Sequence, residues 1–345
     1  MSDSEKIVLS IQSHVTHGYV GNKAATFPLQ LHGFDVDAIN TVSLSNHSGY
    51  PVIKGHRMDL EEFQTILSGL EANQFLPLYR YILTGYINDD AIVRHVQHTV
   101  AAVKRLRGAP ASPTAPPAAE ETAAAASPSA AAHQPVTYIC DPVLGDDGRL
   151  YCKPEVVDAY RAILSCADIA TPNYFEAELL SGVHVVDLPT AAAAADYFHA
   201  QGTRIVVVKS FPDKATAKAN AEERGLPPPP LLRFLVSVQE ADGHKRRYTG
   251  TVPFHDGHYT GTGDVFAASL LAFYHIHGEA HIDVAVGKAM GVVQDLILAT
   301  RRTGGVGNTS LNSRELRVTS SPESLLRPQT AVTVVSVTEA DLSQH

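Results

Sequence analysis

The sequence predicts an α/β protein with a central, mostly parallel β-sheet and helices on both faces. Three observations support the α/β class. β-rich runs alternate with helical stretches along almost the whole chain. The helical stretches carry end signals, with Pro154 at a first-turn position and Gly33, Gly108, Gly182 and Gly202 just past the ends. Over 345 residues, 44% apolar content is normal for a chain that buries a real core.

In order, the expected strands are "IVLSIQ" (7–12), "DVDAINTV" (35–42), "YRYILTG" (79–85), "VTYICDPV" (136–143), "ADIATPN" (167–173), "RIVVVKS" (204–210) and "LRFLVSVQ" (232–239). Helices are expected at 22–33, 58–73, 89–108, 153–165, 173–182 and 190–202. "DVFAASLLAFYHIH" (264–277) is apolar on nearly every face, and "DVAVGKAMGVVQDLILAT" (283–300) follows it, so both should be core helices. "AVTVVSV" (331–337) is a candidate late strand.

Two segments break the pattern. Residues 108–135 are nearly all Ala, Pro, Ser, Thr and Glu, with almost nothing to bury, which predicts a disordered excursion. The polar loop 212–230 ends in four prolines that cannot join a ladder. A domain boundary at 108–135 is the competing reading. Because the alternation resumes unchanged after it, a single domain over 1–345 is expected.

The net charge of −9 gives no basic face for nucleic acid or anionic lipid, so neither is an expected partner. The first residues lack the basic flank and apolar core of a secretory signal, and no run approaches about 18 apolar residues. Cys140, Cys152 and Cys166 fit neither a CxxC nor a zinc spacing, which argues for reduced thiols in a cytoplasmic protein.

Three acidic clusters each follow an expected strand. Asp141 ends the first in "ICDPVLGDDG"; Thr171, Asn173 and Glu176 lie in "IATPNYFEAELL"; Asp264 closes "GTGD". In a parallel sheet such positions gather at one end, as metal-assisted phosphoryl transfer requires. Asp141 and Glu176 could supply hard oxygen ligands to Mg²⁺, although Asn173 and Glu176 also read as a plain capping box. Gly261, Thr262 and Gly263 open a helix whose free N–H groups could receive a phosphoryl group. The helix field is expected to keep Asp264 ionised, able to take a proton from an attacking hydroxyl; the alternative is that Asp264 only caps the helix. Ser13, after the first strand, is either a polar substrate contact or ordinary loop chemistry. No Walker A or strand-following G-x-G-x-x-G sequence occurs.

Taken together, "LSIQSHVTHGYVGNKAATFPLQLHGFDVDAINTV", "SNHSGY", "LTGYIND", "CDPVLGD", "ADIATPNYFEAELLSG" and "TGTGDVFAASLLA" resemble the pyridoxal kinase family of the ribokinase-like superfamily, in family order from about residue 7 to 300. "RELRVTSS" at 314–321 resembles the family's tail. The resemblance implies ATP-dependent phosphorylation of the 5′-hydroxymethyl group of pyridoxal, pyridoxine or pyridoxamine, with Mg²⁺ or another divalent metal, K⁺ or another monovalent cation, and a homodimer. By motif match, Asp264 would be the base and Gly261, Thr262 and Gly263 the anion hole. Ser13, Val20, His47, Ser48 and Tyr86 would line the vitamin pocket. Asp141, Asn173 and Glu176 would organise metal and phosphates, Thr171 would lie near the monovalent cation, and Asp146 and Tyr151 would belong to a flap over ATP.

Two positions depart from the family pattern. Lys209 stands where a small hydroxyl residue is common near the nucleotide, either to pair with ATP or to cap the strand, with Ser210 keeping the hydroxyl beside it. Ser48 replaces a frequent Thr. The alternatives are a hydroxymethylpyrimidine kinase of the same superfamily and a non-catalytic pyridoxal phosphate-binding protein.

Overall fold

The structure is a computed structural model describing residues 5–108, 134–146, 148–212, 230–305 and 310–343. The expected excursion 108–135 and the loop 212–230 lie almost wholly outside the described residues. The strands are β1 (Ile7–Val15), β2 (Asp35–Leu44), β3 (Gly55–Arg57), β4 (Tyr81–Thr84), β5 (Thr137–Cys140), β6 (Gly145–Asp146), β7 (Arg149–Leu150), β8 (Ile169–Ala170), β9 (Ile205–Pro212), β10 (Leu231–Gln239), β11 (Lys245–Pro253) and β12 (Val335–Ser336). One sheet runs in the order β12-β11-β10-β9-β8-β5-β4-β1-β2-β3, and β6 and β7 form a separate small hairpin. From β2 through β9 the neighbours are parallel, while β3, β10, β11 and β12 add antiparallel edges.

The helices are α1 (Asn22–Leu31), α2 (Leu60–Ala72), α3 (Asp90–Arg107), α4 (Pro154–Ile163), α5 (Tyr174–Ser181), α6 (Leu188–Gln201), α7 (Thr262–His277), α8 (Ile282–Gly304) and the short α9 (Pro322–Leu326) and α10 (Glu339–Leu342). Successive strand residues point to opposite faces, and in the central strands both faces are apolar because both are covered. Leu9 and Ile11 of β1 and Val206 and Val208 of β9 pack into the layer of α2 to α6. Val8, Ile205 and Val207, one position out of phase, pack into the layer of α1, α7 and α8. The run from Asp264 to Phe273 in α7 is buried throughout, as its all-round apolar sequence requires.

The strands on either side of 108–135, β4 and β5, are parallel neighbours in this one sheet. Arg107 ties the two ends of that excursion together at the amino-terminal ends of the strands. Its guanidinium donates to Gln134 O at 3.1 Å, to Pro77 O at 3.2 Å and Leu78 O at 3.0 Å, and pairs with Glu5 at 2.7 Å. Its side chain is only 3% exposed. Arg107→Ala would leave those carbonyls without their donor while Glu5 keeps Arg80, at 3.4 Å, so urea unfolding should show a loss of about 2 kcal/mol, with turnover per folded molecule unchanged.

Candidate active site

Strand ends bring three of the expected residues together. Asp141 directly follows β5, Thr171 directly follows β8, and Lys209 lies in β9. The Asp141 Oδ1 atom accepts from Thr171 Oγ1 at 2.7 Å and from Lys209 Nζ at 2.8 Å. All three are buried, and Lys209 Nζ lies 5.5 Å from the centroid of the Phe266 ring of α7. Burial works against a charged lysine, yet Asp141, Glu176 and Asp264 together hold Lys209 above its ordinary value. In the structure the Lys209 ammonium is paired with Asp141. Ser210 follows with φ of 62°, the left-handed region, where β9 bulges against β10. Non-glycine residues held there are a recurrent mark of functional sites.

Gly261 is the residue before α7, at φ 93°, and a Cβ there would lie 1.9 Å from Tyr19 O. That glycine is required by packing as well as conformation. A Cβ on Gly263 would lie 3.5 Å from Asp141 Oδ2 and 3.6 Å from Lys209 Nζ, so the helix start faces the Asp141–Lys209 pair with room for a methyl group between them. The Thr262 hydroxyl donates to Tyr259 O at 3.2 Å.

Asp264 lies in the first turn of α7, behind Gly261, which has no side chain to cap the helix. The Asp264 carboxylate receives the Gly21 amide, across from α7. The expectation that the helix end keeps Asp264 ionised is corrected here. Burial dominates, Asp141 adds repulsion, and together they push Asp264 from 3.8 up to about 7 against the pull of Gly21 and Lys209. A helix terminus contributes only about 0.3–1 kcal/mol, which does not outweigh desolvation of a carboxylate.

The capping-box alternative holds for Asn173 and Glu176. Asn173 Oδ1 receives the Glu176 amide and Glu176 Oε2 receives the Asn173 amide, each at 2.8 Å. Glu176 Oε1 also accepts from Leu144 N at 3.1 Å, while Asn173 Nδ2 donates to Gly145 O at 2.9 Å. One Glu176 oxygen thus anchors the loop after Asp141 and the other closes the capping box of α5, and burial pushes the carboxyl upward. Asp141, with Oδ2 facing Gly263, and Glu176, buried behind it, remain the carboxylates at this strand end that fit a hard cation. Among the described residues no three His, Cys, Asp or Glu side chains form a metal cage, and Mg²⁺, which prefers one or two carboxylates, waters and substrate phosphates, needs none.

The anchored loop leads into the β6–β7 hairpin, which carries Asp146, and on to Tyr151. Tyr86 donates to Tyr151 O at 3.1 Å, joining the hairpin to the segment after β4, and burial pushes its phenol up to about 12. Ser13 and Val20 are buried beside Gly21, where a Cβ would lie 2.0 Å from Ser13 O. Ser48 is exposed, while His47 is buried against Glu315 at 2.9 Å. Two residues were missed by sequence reasoning: Gly21, visible only as part of "GYVGN", and Glu315, whose partner lies 268 positions away.

A three-layer sheet with a glycine-opened helix facing an aspartate at its carboxyl edge defines a small-molecule kinase of the ribokinase-like class. Residues 118–311 match the family model described as phosphomethylpyrimidine kinase. Pyridoxal kinase from Arabidopsis thaliana is 34% identical over 93% of this chain and 92% of its own. The human pyridoxal kinase is 33% identical over 96% and 98%. A solved structure of Leishmania donovani pyridoxal kinase in complex with ADP is 58% identical, with a TM-score of 0.84 over 96% of this chain and 100% of that one. This chain belongs to the pyridoxal kinase family. The pyrimidine kinase match covers the shared phosphate-handling part, whereas these relatives match from end to end.

The two glycines should behave differently. Gly261→Ala should lose about 2 kcal/mol or more in thermal unfolding, from left-handed strain and the clash with Tyr19, while Gly263→Ala should fold with no loss. Asp264 should also make stability fall as pH rises. The folded protein keeps a proton up to about 7 that the unfolded chain releases near 3.8, so the melting temperature of Asp264→Asn should gain on wild type across that window.

Proposed function

We infer that this chain transfers the γ-phosphoryl group of ATP to the 5′-hydroxymethyl group of pyridoxal, pyridoxine or pyridoxamine, acting as one kinase domain over its whole length. The single observation that carries the chemistry is Asp264, buried at the start of α7 with a carboxyl pushed up to about 7, next to Gly263, which faces the Asp141–Lys209 pair. A base works best when its pKa lies near the working pH, because it is then ionised and still basic enough to accept a proton. Complexes of the Leishmania donovani relative with ADP and pyridoxine and with ADP and pyridoxamine support the substrate class.

In this reading Asp264 takes the proton of the substrate hydroxyl as its oxygen attacks the γ-phosphorus. The N–H groups of Gly261, Thr262 and Gly263 receive the phosphoryl oxygens. Asp141, with Glu176 behind it, would hold the divalent ion, whose chemistry is to neutralise phosphate charge, and Lys209 fixes the Asp141 carboxylate in place. Thr171 is assigned to the neighbourhood of the monovalent cation, and Ser210 and Asn173 to the nucleotide side. Asp146 and Tyr151, linked to Tyr86 through the hairpin, form the flap that excludes water. Ser13, Val20, His47, Ser48 and Tyr86 surround the vitamin ring, the aromatic ring suiting its flat face. A homodimer and a cytoplasmic location follow the family expectation; among the described residues no helix is long and apolar enough to cross a membrane.

The reading is tested by Asp264→Asn, which should lower kcat by about 10²-fold or more while ADP binding, followed by calorimetry, stays within a few-fold. In wild type, kcat/KM should climb with pH through an apparent pKa near 7, since only ionised Asp264 can accept the proton. Unchanged turnover in the variant, or a marked preference for a pyrimidine alcohol over pyridoxal, would overturn it.

A further inference from the structure

The segment after α8 closes over the loops assigned to the vitamin. Glu315, 4% exposed, lies there between two short 3-10 turns at Leu311–Arg314 and Val318–Ser320. Its Oε1 accepts from the Tyr50 hydroxyl at 2.9 Å and lies 2.9 Å from His47 Nε2. On the other side of the His47 ring, Nδ1 is 3.0 Å from the Gly49 amide. A backbone amide can only donate, so Nδ1 must be the acceptor and the ring proton sits on Nε2, directed at Glu315. His47 is thereby a neutral imidazole with both nitrogens committed inside the protein. It can offer a substrate its ring face or C–H edge and no nitrogen.

The carboxylate that fixes this state is costly to keep. Burial favours its neutral form, yet the hydrogen bonds from His47 and Tyr50 hold Glu315 below its ordinary value. Its Oε2 is buried and meets no hydrogen-bond donor among the described residues. Gly18, at φ 88°, makes room for it; a Cβ there would lie 2.3 Å from Oε2. Simple packing would be served as well by an apolar side chain, without stranding a carboxylate oxygen. The next residue, Leu316, reaches the neighbourhood of Gly261, so the same stretch touches both the vitamin loops and the phosphate end.

We propose that Glu315 is a positioning residue for the vitamin: it selects the Nε2–H form of His47 and pins the loop 45–50 against the loop 16–21, so that His47 meets the substrate through carbon. The proposal rests on the assignment of His47 and Ser48 to the vitamin pocket. Truncating a carboxylate that accepts two hydrogen bonds should weaken vitamin binding by about tenfold. In the full-length protein, Glu315→Ala should therefore raise KM for pyridoxal about tenfold, with kcat and KM for ATP nearly unchanged. Glu315→Gln, whose amide oxygen still accepts from His47, should recover most of that loss. Independently of catalysis, ¹⁵N NMR of the histidine side chains should show His47 as the Nε2–H form in wild type and in Glu315→Gln, and as a mixture in Glu315→Ala. The idea fails if His47 carries its proton on Nδ1 in wild type, if Glu315→Gln is as impaired as Glu315→Ala, or if kcat and both KM values move together in the folded variants. Should wild type leave pyridoxal unphosphorylated, the function proposed above falls, and the NMR comparison still decides the link between Glu315 and His47.

Discussion

The buried pair of Lys209 and Asp141 is the interaction on which the rest of the site depends. Removing two charges from water costs several kcal/mol per ion, and the mutual attraction recovers this only with good geometry and further hydrogen bonds. Thr171 supplies one such bond, and the Phe266 ring borders the ammonium. The pair also joins β5 to β9 through β8, so the three strand ends that carry the site are held in one charge network. Within it, three carboxylates, those of Asp141, Glu176 and Asp264, act on one ammonium. The shortfall of positive charge accounts for part of the upward push on Asp264, and it is a shortfall that a divalent cation is suited to make up.

Most of the framework could be read from the chain because its signals are local. Alternating apolar runs located seven of the sheet's strands, and the end glycines located the helices. β11 was missed because its opening Lys245, Arg246 and Arg247 look like a solvated loop; those side chains instead pair with Asp196 and Glu240 at the sheet's margin. β3, β6 and β7 are only two or three residues long and carry no period. Asp141, Asn173, Glu176 and Asp264 were legible because each follows a strand or opens a helix. The partner of Lys209 lies 68 positions away, and that of His47 lies 268 away, and no local pattern encodes either.

At Asp264 the field of the helix end and the burial of the assembled fold act in opposite directions. A reading along the chain sees the helix end and its favourable field, which is a first-turn effect and small. Desolvation depends on what α1, the Ser13–Gly21 stretch and α7 place around the carboxylate, and this is a property of the assembled fold. Two influences of opposite sign thus meet on one side chain, and the larger is invisible in the local sequence.

The hydrogen bond from Arg107 to Gln134 lies at the end of the sheet opposite Asp141 and Asp264. It works as a clasp between Arg107 and Gln134, fixing where α3 ends and where the chain enters β5. Closing a flexible loop costs only about 0.6 kcal/mol more for each doubling of its length. With both attachment points held at the edge away from Asp141 and Asp264, a change of length between them leaves the two points where they are at little thermodynamic cost.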